Sequence, residues 1–233
     1  MKKGFLIIGL FLIFSFNVLA ENYDAVIVSD KNEKFTVKGT VTEKDGILYK
    51  KTDFINEYGK IIIEERGKFI SNPFKVLEIS IRDVRNGRTE IATKQNDNYI
   101  LKYIKKTGET TKTKVIDEDG ILMHGSFVPM FIIEKYDELS QRGKTIKLKM
   151  LVPLRQTFYN FELIKEKTEM VYKQKCNVFK LEATSWVIRA LTKPSYFYVT
   201  DNKPHQLVKY SGSTLITDSE EEQVCGIMNV KNY

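Results

Sequence analysis

The chain is short of the residues from which most active sites are built. Its 233 residues include two cysteines, two histidines and one tryptophan. Neither Cys176 nor Cys225 has a histidine nearby in sequence, which argues against a cysteine nucleophile. The same scarcity leaves a zinc centre short of ligands. Five prolines and 13 glycines exclude collagen-like and low-complexity chains. The glycines are spread one to a turn, so no phosphate-cradling loop is present and no cofactor is expected. After the N-terminal segment no apolar run is long enough to span a bilayer as a helix, which needs about 20 residues.

What is present is an ordinary folding mixture, 42% hydrophobic and 29% charged. The first 20 residues have the three-part pattern of an export signal. Lys2 and Lys3 precede an apolar run from Phe5 to Phe16, and Val18-Leu19-Ala20 supplies a cleavage site before Glu21. An uncleaved anchor is the alternative; no cysteine follows the run, which argues against a lipoprotein. The expectation is a signal over 1–20 and a single exported domain over 21–233, in the periplasm or envelope of a bacterium. Loss of Lys2 and Lys3 lowers the formal charge from +7 to +5.

That surplus is scattered. The densest cluster, Lys102, Lys105, Lys106, Lys112 and Lys114, flanks a Gly-Glu-Thr turn and reads as a solvated hairpin tip. A nucleic-acid reader gathers charge on one face among stacking aromatics, so no nucleic acid is expected. Weak peripheral contact with an anionic membrane surface is compatible with this charge. In an oxidising compartment Cys176 and Cys225 are candidates for a disulfide, closing a loop of about 50 residues worth about 3–4 kcal/mol.

Period two dominates the pattern. Phe35, Val37, Gly39 and Val41 alternate with Thr36, Lys38, Thr40 and Thr42. Leu77, Ile79 and Ile81, then Ile146, Leu148 and Met150, then Phe179, Leu181 and Ala183 repeat the rule. Ten or eleven strands joined by short turns predict antiparallel pairing, because parallel strands need long crossovers. One segment departs from it. Ile132, Tyr136 and Leu139 fall on helical spacing, with Ser126 as N-cap and Pro129 in the first turn, which predicts one helix over about 127–140. The fold class is therefore mainly β: a curved antiparallel sheet or half-barrel meander with one prominent helix.

Chemistry has few places to reside. His124 and Ser126 lie too close in sequence for imidazole and hydroxyl to meet along a strand, so Ser126 is read as a cap. His205, after Pro204, reads as a surface loop residue. Asp117, Glu118 and Asp119 before Gly120 resemble part of a calcium loop, but Ile121, Leu122 and Met123 follow where ligands are required. An acidic hairpin turn explains them, and no metal is expected. Asp218 to Glu222 reads as an exposed acidic loop.

Asn177-Val178-Phe179-Lys180-Leu181-Glu182, then Tyr196-Phe197-Tyr198-Val199, then Leu207-Val208-Lys209-Tyr210-Ser211-Gly212 form an alternating strand, an aromatic strand and a third ending in LVKYSG. Over about residues 144–213 this order resembles uncharacterised periplasmic proteins related to the lipoprotein-localisation carriers. The resemblance implies an antiparallel sheet curved as a half-barrel around helices, and in some members an acyl chain in the cavity.

A broad sheet with one apolar face has more surface than a single helix covers. The leading expectation is a non-enzymatic envelope protein binding a hydrophobic ligand, with a lipid or an acylated protein as partner. Phe127, Met130, Phe131, Ile133, Trp186, Tyr196 and Tyr198 are the residues expected to line its site. The alternatives are a structural or protein-interaction module with a closed core and a hydrolase with dispersed carboxylates; no catalytic residue is assigned.

Overall fold

The computed structural model describes residues 21–117, 119–217 and 223–232. The export signal at 1–20 and the acidic stretch at 218–222 lie outside the described residues, as does the side chain of Cys225. Fifteen strands form one sheet. The first eight are β1 (Glu21–Ser29), β2 (Lys34–Lys44), β3 (Ile47–Ile55), β4 (Ile61–Ile70), β5 (Lys75–Asp83), β6 (Thr89–Gln95), β7 (Asn98–Ile104) and β8 (Lys112–Asp117). The other seven are β9 (Leu122–Met123), β10 (Thr145–Val152), β11 (Thr157–Val171), β12 (Gln174–Ala183), β13 (Ser195–Thr200), β14 (Leu207–Thr217) and β15 (Gln223–Asn232). The spatial order is β8 to β1 in reverse, then β15 to β9 in reverse. Every pairing is antiparallel except the short β9–β10 contact, and the sheet is not closed. The mainly β class with its helical segment is therefore the observed one.

Alternation in sequence becomes alternation in burial. In β2 Phe35, Val37 and Gly39 are buried while Lys34 and Lys38 face solvent. Gly39 sits opposite Tyr23, and a Cβ built there would lie 1.9 Å from the Tyr23 ring. The ring rests on the space that the glycine leaves. The β2–β3 turn places Asp45 and Gly46 at φ 52° and 75°, the left-handed pair that a two-residue hairpin needs.

Two strands beyond the expected set, β1 and β4, complete the first half of the sheet. The segment after β8 differs from the expected acidic hairpin. Leu122 and Met123 do not return beside β8; they cross to the far edge and pair parallel with Lys149 and Met150 of β10. The 3-10 turn Pro153–Arg155 packs on β6 and β7, and β9 on β5. The sheet therefore curls until its two halves touch through side chains.

The expected helix is present in pieces: a 3-10 turn at Gly125–Phe127, α1 (Val128–Glu134) and α2 (Tyr136–Leu139), broken at Lys135. Pro129 lies in the first turn of α1, as expected. The cap differs: His124, not Ser126, caps the opening turn, its ring accepting from the Ser126 amide. Phe127, Val128, Phe131, Ile132, Tyr136 and Leu139 are buried against the concave face. Phe127 packs edge-on to Phe69 at 5.3 Å, Phe131 to Phe74 at 5.3 Å and Tyr136 to Phe179 at 5.6 Å. The segment thus bridges β4–β5 on one side and β12 on the other. Phe127 reaches the sheet because Gly67 lacks a side chain: a Cβ there would meet the ring at 2.5 Å.

The candidate disulfide is not formed. Cys176 is a buried free thiol, and burial raises its pKa. Cys176 on β12 pairs with Thr200 on β13, whereas Cys225 on β15 pairs with Ser213 on β14. Three strand spacings of about 4.8 Å separate them, well beyond the about 7 Å that a bridge spans between Cα atoms.

Candidate functional site

A cavity of ≈1790 Å³ lies between the concave face and α1. Apolar side chains from both halves of the sheet line it, among them Ile27, Val37, Phe54, Phe161, Leu181 and Phe197. Alternation selects them: Phe197 turns inward between Tyr196 and Tyr198, which face the other way. The cavity is longer than it is local. Lys31, Arg88, Leu154 and Lys193 line one end, and Glu43, Ser71 and Pro204 the other.

Of the seven residues expected to line the site, Met130 and Ile133 do so. Phe127 and Phe131 are buried in the core as the feet of the helical segment. Tyr198 packs with Val171, Cys176 and Val208 in a separate cluster under Lys209, and Tyr196 shares its outward parity. Trp186 is 79% exposed, on a six-residue helix that periodicity did not reveal, α3 (Trp186–Leu191). Ile188 of the same helix does line the cavity.

One stretch of wall is polar. Thr52 on β3 opposes Glu65 on β4, and Lys50 lies two residues away with the same inward parity. The Lys50 ammonium donates to Glu65 Oε1 and to the Ser126 carbonyl at 3.2 Å. Lys50 is 6% exposed and Glu65 1%. Burial alone lowers the Lys50 pKa; the charges of Glu65 and Tyr23 and the bond to Glu65 more than reverse this, and the net shift is upward. The Tyr23 hydroxyl shares a 2.7 Å hydrogen bond with Thr52 Oγ1, and burial raises its pKa.

His124 and Ser126 complete the patch. They meet after all, because the chain turns between them instead of running as a strand: His124 Nδ1 lies 3.1 Å from Ser126 Oγ and accepts from the Ser126 amide at 3.3 Å. The bonded amide places the ring proton on Nε2. Burial pushes the His124 pKa down to about 4, the Glu65 charge opposing and Lys50 assisting. A histidine so weakly basic is a poor general base, and Glu65 is engaged by Lys50 rather than by the ring. The contact therefore serves as a cap and a hydrogen-bonding surface more readily than as a hydrolytic pair.

His205 is not a surface loop residue. Its ring stacks on Tyr136 at 3.6 Å, Nδ1 meets the Thr200 carbonyl at 3.0 Å, and the residue lines the cavity. Tyr136 in turn donates to Asp201 at 3.0 Å and accepts from Asn177 at 2.6 Å, which ties α2 to β12 and to the β13–β14 loop. Glu90, also on the wall, accepts from the Leu154 amide at 3.3 Å, and burial raises its pKa. None of these inward polar groups stands out by motif. The signal was parity: Lys50 and Thr52 share the register of Leu48 and Phe54.

Among the described residues no group of histidine, cysteine and carboxylate side chains is arranged to hold a metal ion, and no helix is long and apolar enough to cross a membrane. Asp119 pairs with Lys149 at 2.6 Å. No protein-family profile matches the chain, and no curated protein is significantly similar to it.

Proposed function

We propose that the chain is a non-enzymatic binding protein of the bacterial envelope that holds a hydrophobic ligand, the acyl chain of a lipid or of an acylated protein, between its sheet and α1. The observation that carries this reading is the ≈1790 Å³ cavity with its apolar wall. Small-molecule sites usually measure about 300–1,000 Å³. A closed-core module would fill that space with its own side chains. The half-barrel form and the export pattern at 1–20 agree with the same reading, as does the resemblance to lipoprotein-localisation carriers.

The test is titration with N-phenyl-1-naphthylamine, an apolar probe that brightens on leaving water. Saturable, stoichiometric enhancement that lauric acid or a monoacylglycerol displaces is the expected result. A flat titration, together with a native mass equal to the bare chain, would remove the reading.

A carrier must meet the surface that supplies its cargo. Trp186 and Val187 are exposed on α3 while Ile188 faces the cavity, and Arg189 and Lys193 flank them. Interfacial tryptophan beside basic residues suits an anionic bilayer surface. Because the chain has one tryptophan, its emission reports on this helix alone. Vesicles of phosphatidylcholine and phosphatidylglycerol should shift the emission to the blue, and brominated acyl chains should quench it. Trp186→Ser should weaken co-sedimentation roughly tenfold. Emission unchanged by vesicles at low salt would refute this contact.

A further inference from the structure

The polar stretch of wall has features that the proposed binding role does not require. An apolar ligand would be held as well by an apolar wall, and a buried ion pair is weak evidence for stability because desolvation offsets its attraction. Yet Lys50, Glu65, Thr52, Tyr23, His124 and Ser126 all line the cavity. They are charge-balanced: the Lys50 ammonium is spent on Glu65 and the Ser126 carbonyl. His124 is 8% exposed, with both of its hydrogen bonds at Nδ1. Because Nδ1 makes both bonds, Nε2–H is the ring's remaining donor.

We propose that this stretch is a headgroup subsite that selects acyl ligands with an uncharged polar end, an ester, amide or hydroxyl, over those ending in carboxylate or phosphate. An ester or amide carbonyl would accept from His124 Nε2–H, and a hydroxyl would pair with the Tyr23–Thr52 couple or with Ser126. Within this stretch a carboxylate would find no uncompensated cation, because Glu65 already holds Lys50. It would lie beside the Glu65 carboxylate in a water-poor site, where an unpaired charge is costly. The apolar side chains on either side, Phe54 and Ile27 in one direction and Leu48 and Met130 in the other, leave room for the chain. Neutralisation of His124 across the ordinary pH range supports the same assignment, because the ring adds no charge to the wall.

The inference rests on the cavity being a ligand site. Its test compares, at pH 7.4, the concentrations of 1-monolauroylglycerol and of laurate that displace half of the bound N-phenyl-1-naphthylamine. Both ligands share one acyl chain, so their ratio isolates the head. The glycerol ester is expected to displace at a concentration at least about tenfold lower. His124→Phe should narrow the ratio by removing the donor that the ester carbonyl uses. The Lys50→Met/Glu65→Leu double variant, which removes both charges together, should narrow it as well and guards against a single variant that fails to fold. Because the readout is a ratio, a general loss of affinity does not imitate the effect. Equal displacement by the two ligands, or preference for laurate, overturns the subsite while leaving the cavity reading intact. Absence of any probe binding overturns both.

Discussion

Glu65→Leu is expected to lower stability by about 3–5 kcal/mol, the range for removing one partner of a buried ion pair. The loss comes from what remains. Lys50 would stay in the wall with its ammonium unpaired except for the Ser126 carbonyl, and it must either hold a buried charge or give up its proton. For a domain of this size the melting temperature should fall by roughly 10 °C. The double variant Lys50→Met/Glu65→Leu removes both charges while keeping volume, and it should recover most or all of the loss. Paired urea melts of wild type, single and double variants measure this directly. A single variant within about 1 kcal/mol of wild type would mean that water reaches Lys50 and that the pair is not truly buried. Lys50 also holds the 3-10 turn before α1 to the sheet, so the single variant should expose the cavity side of that turn to hydrogen exchange.

Acid should loosen the protein through His124. Its folded pKa is held at about 4, below the ordinary 6.5. Above pH 6.5 the ring is neutral in both folded and unfolded chains and contributes no pH dependence. As pH falls through the window from 6.5 to 4, the unfolded chain takes up a proton that the folded one refuses, and stability declines. At about 1.4 kcal/mol per pH unit, the total loss over this window is about 3.5 kcal/mol, complete below pH 4. His124→Phe should flatten this part of the profile. An unchanged slope between pH 6.5 and 4 in that variant would assign the acid sensitivity to other groups.

The fold was legible wherever alternation was clean. Phe35, Val37 and Gly39 in β2, and Phe179 and Leu181 in β12, announced both strand and facing. It was hidden where the inward residue is polar. In β4, Ile61, Ile62 and Ile63 run together and Glu65 then points inward, so no period-two pattern of apolar residues survives. The same property concealed the site: Lys50, Thr52 and Glu65 belong to the interior by register and to the surface by residue type. The helical segment was visible from Ile132, Tyr136 and Leu139, but its cap was not. The His124–Ser126 contact depends on a tight turn that local sequence rules did not favour. The missed helix α3 has six residues, too few to establish a period, and its outward Trp186 was expected to line the site because large aromatic side chains are mostly turned inward. The parallel crossing of β9 follows from how far the sheet curls, a property of the whole molecule.

The two halves of the sheet join continuously along β1 and β15, whereas along the opposite side Pro153–Arg155 and β9 lean on β5, β6 and β7. Among the described residues no strand ladder crosses that line; the Leu154 amide on Glu90 is a side-chain clasp. The sheet is accordingly continuous through β1 and β15 and held by side chains along the opposite side. Parting the sheet along that line would separate side chains and would break no rung of the ladder.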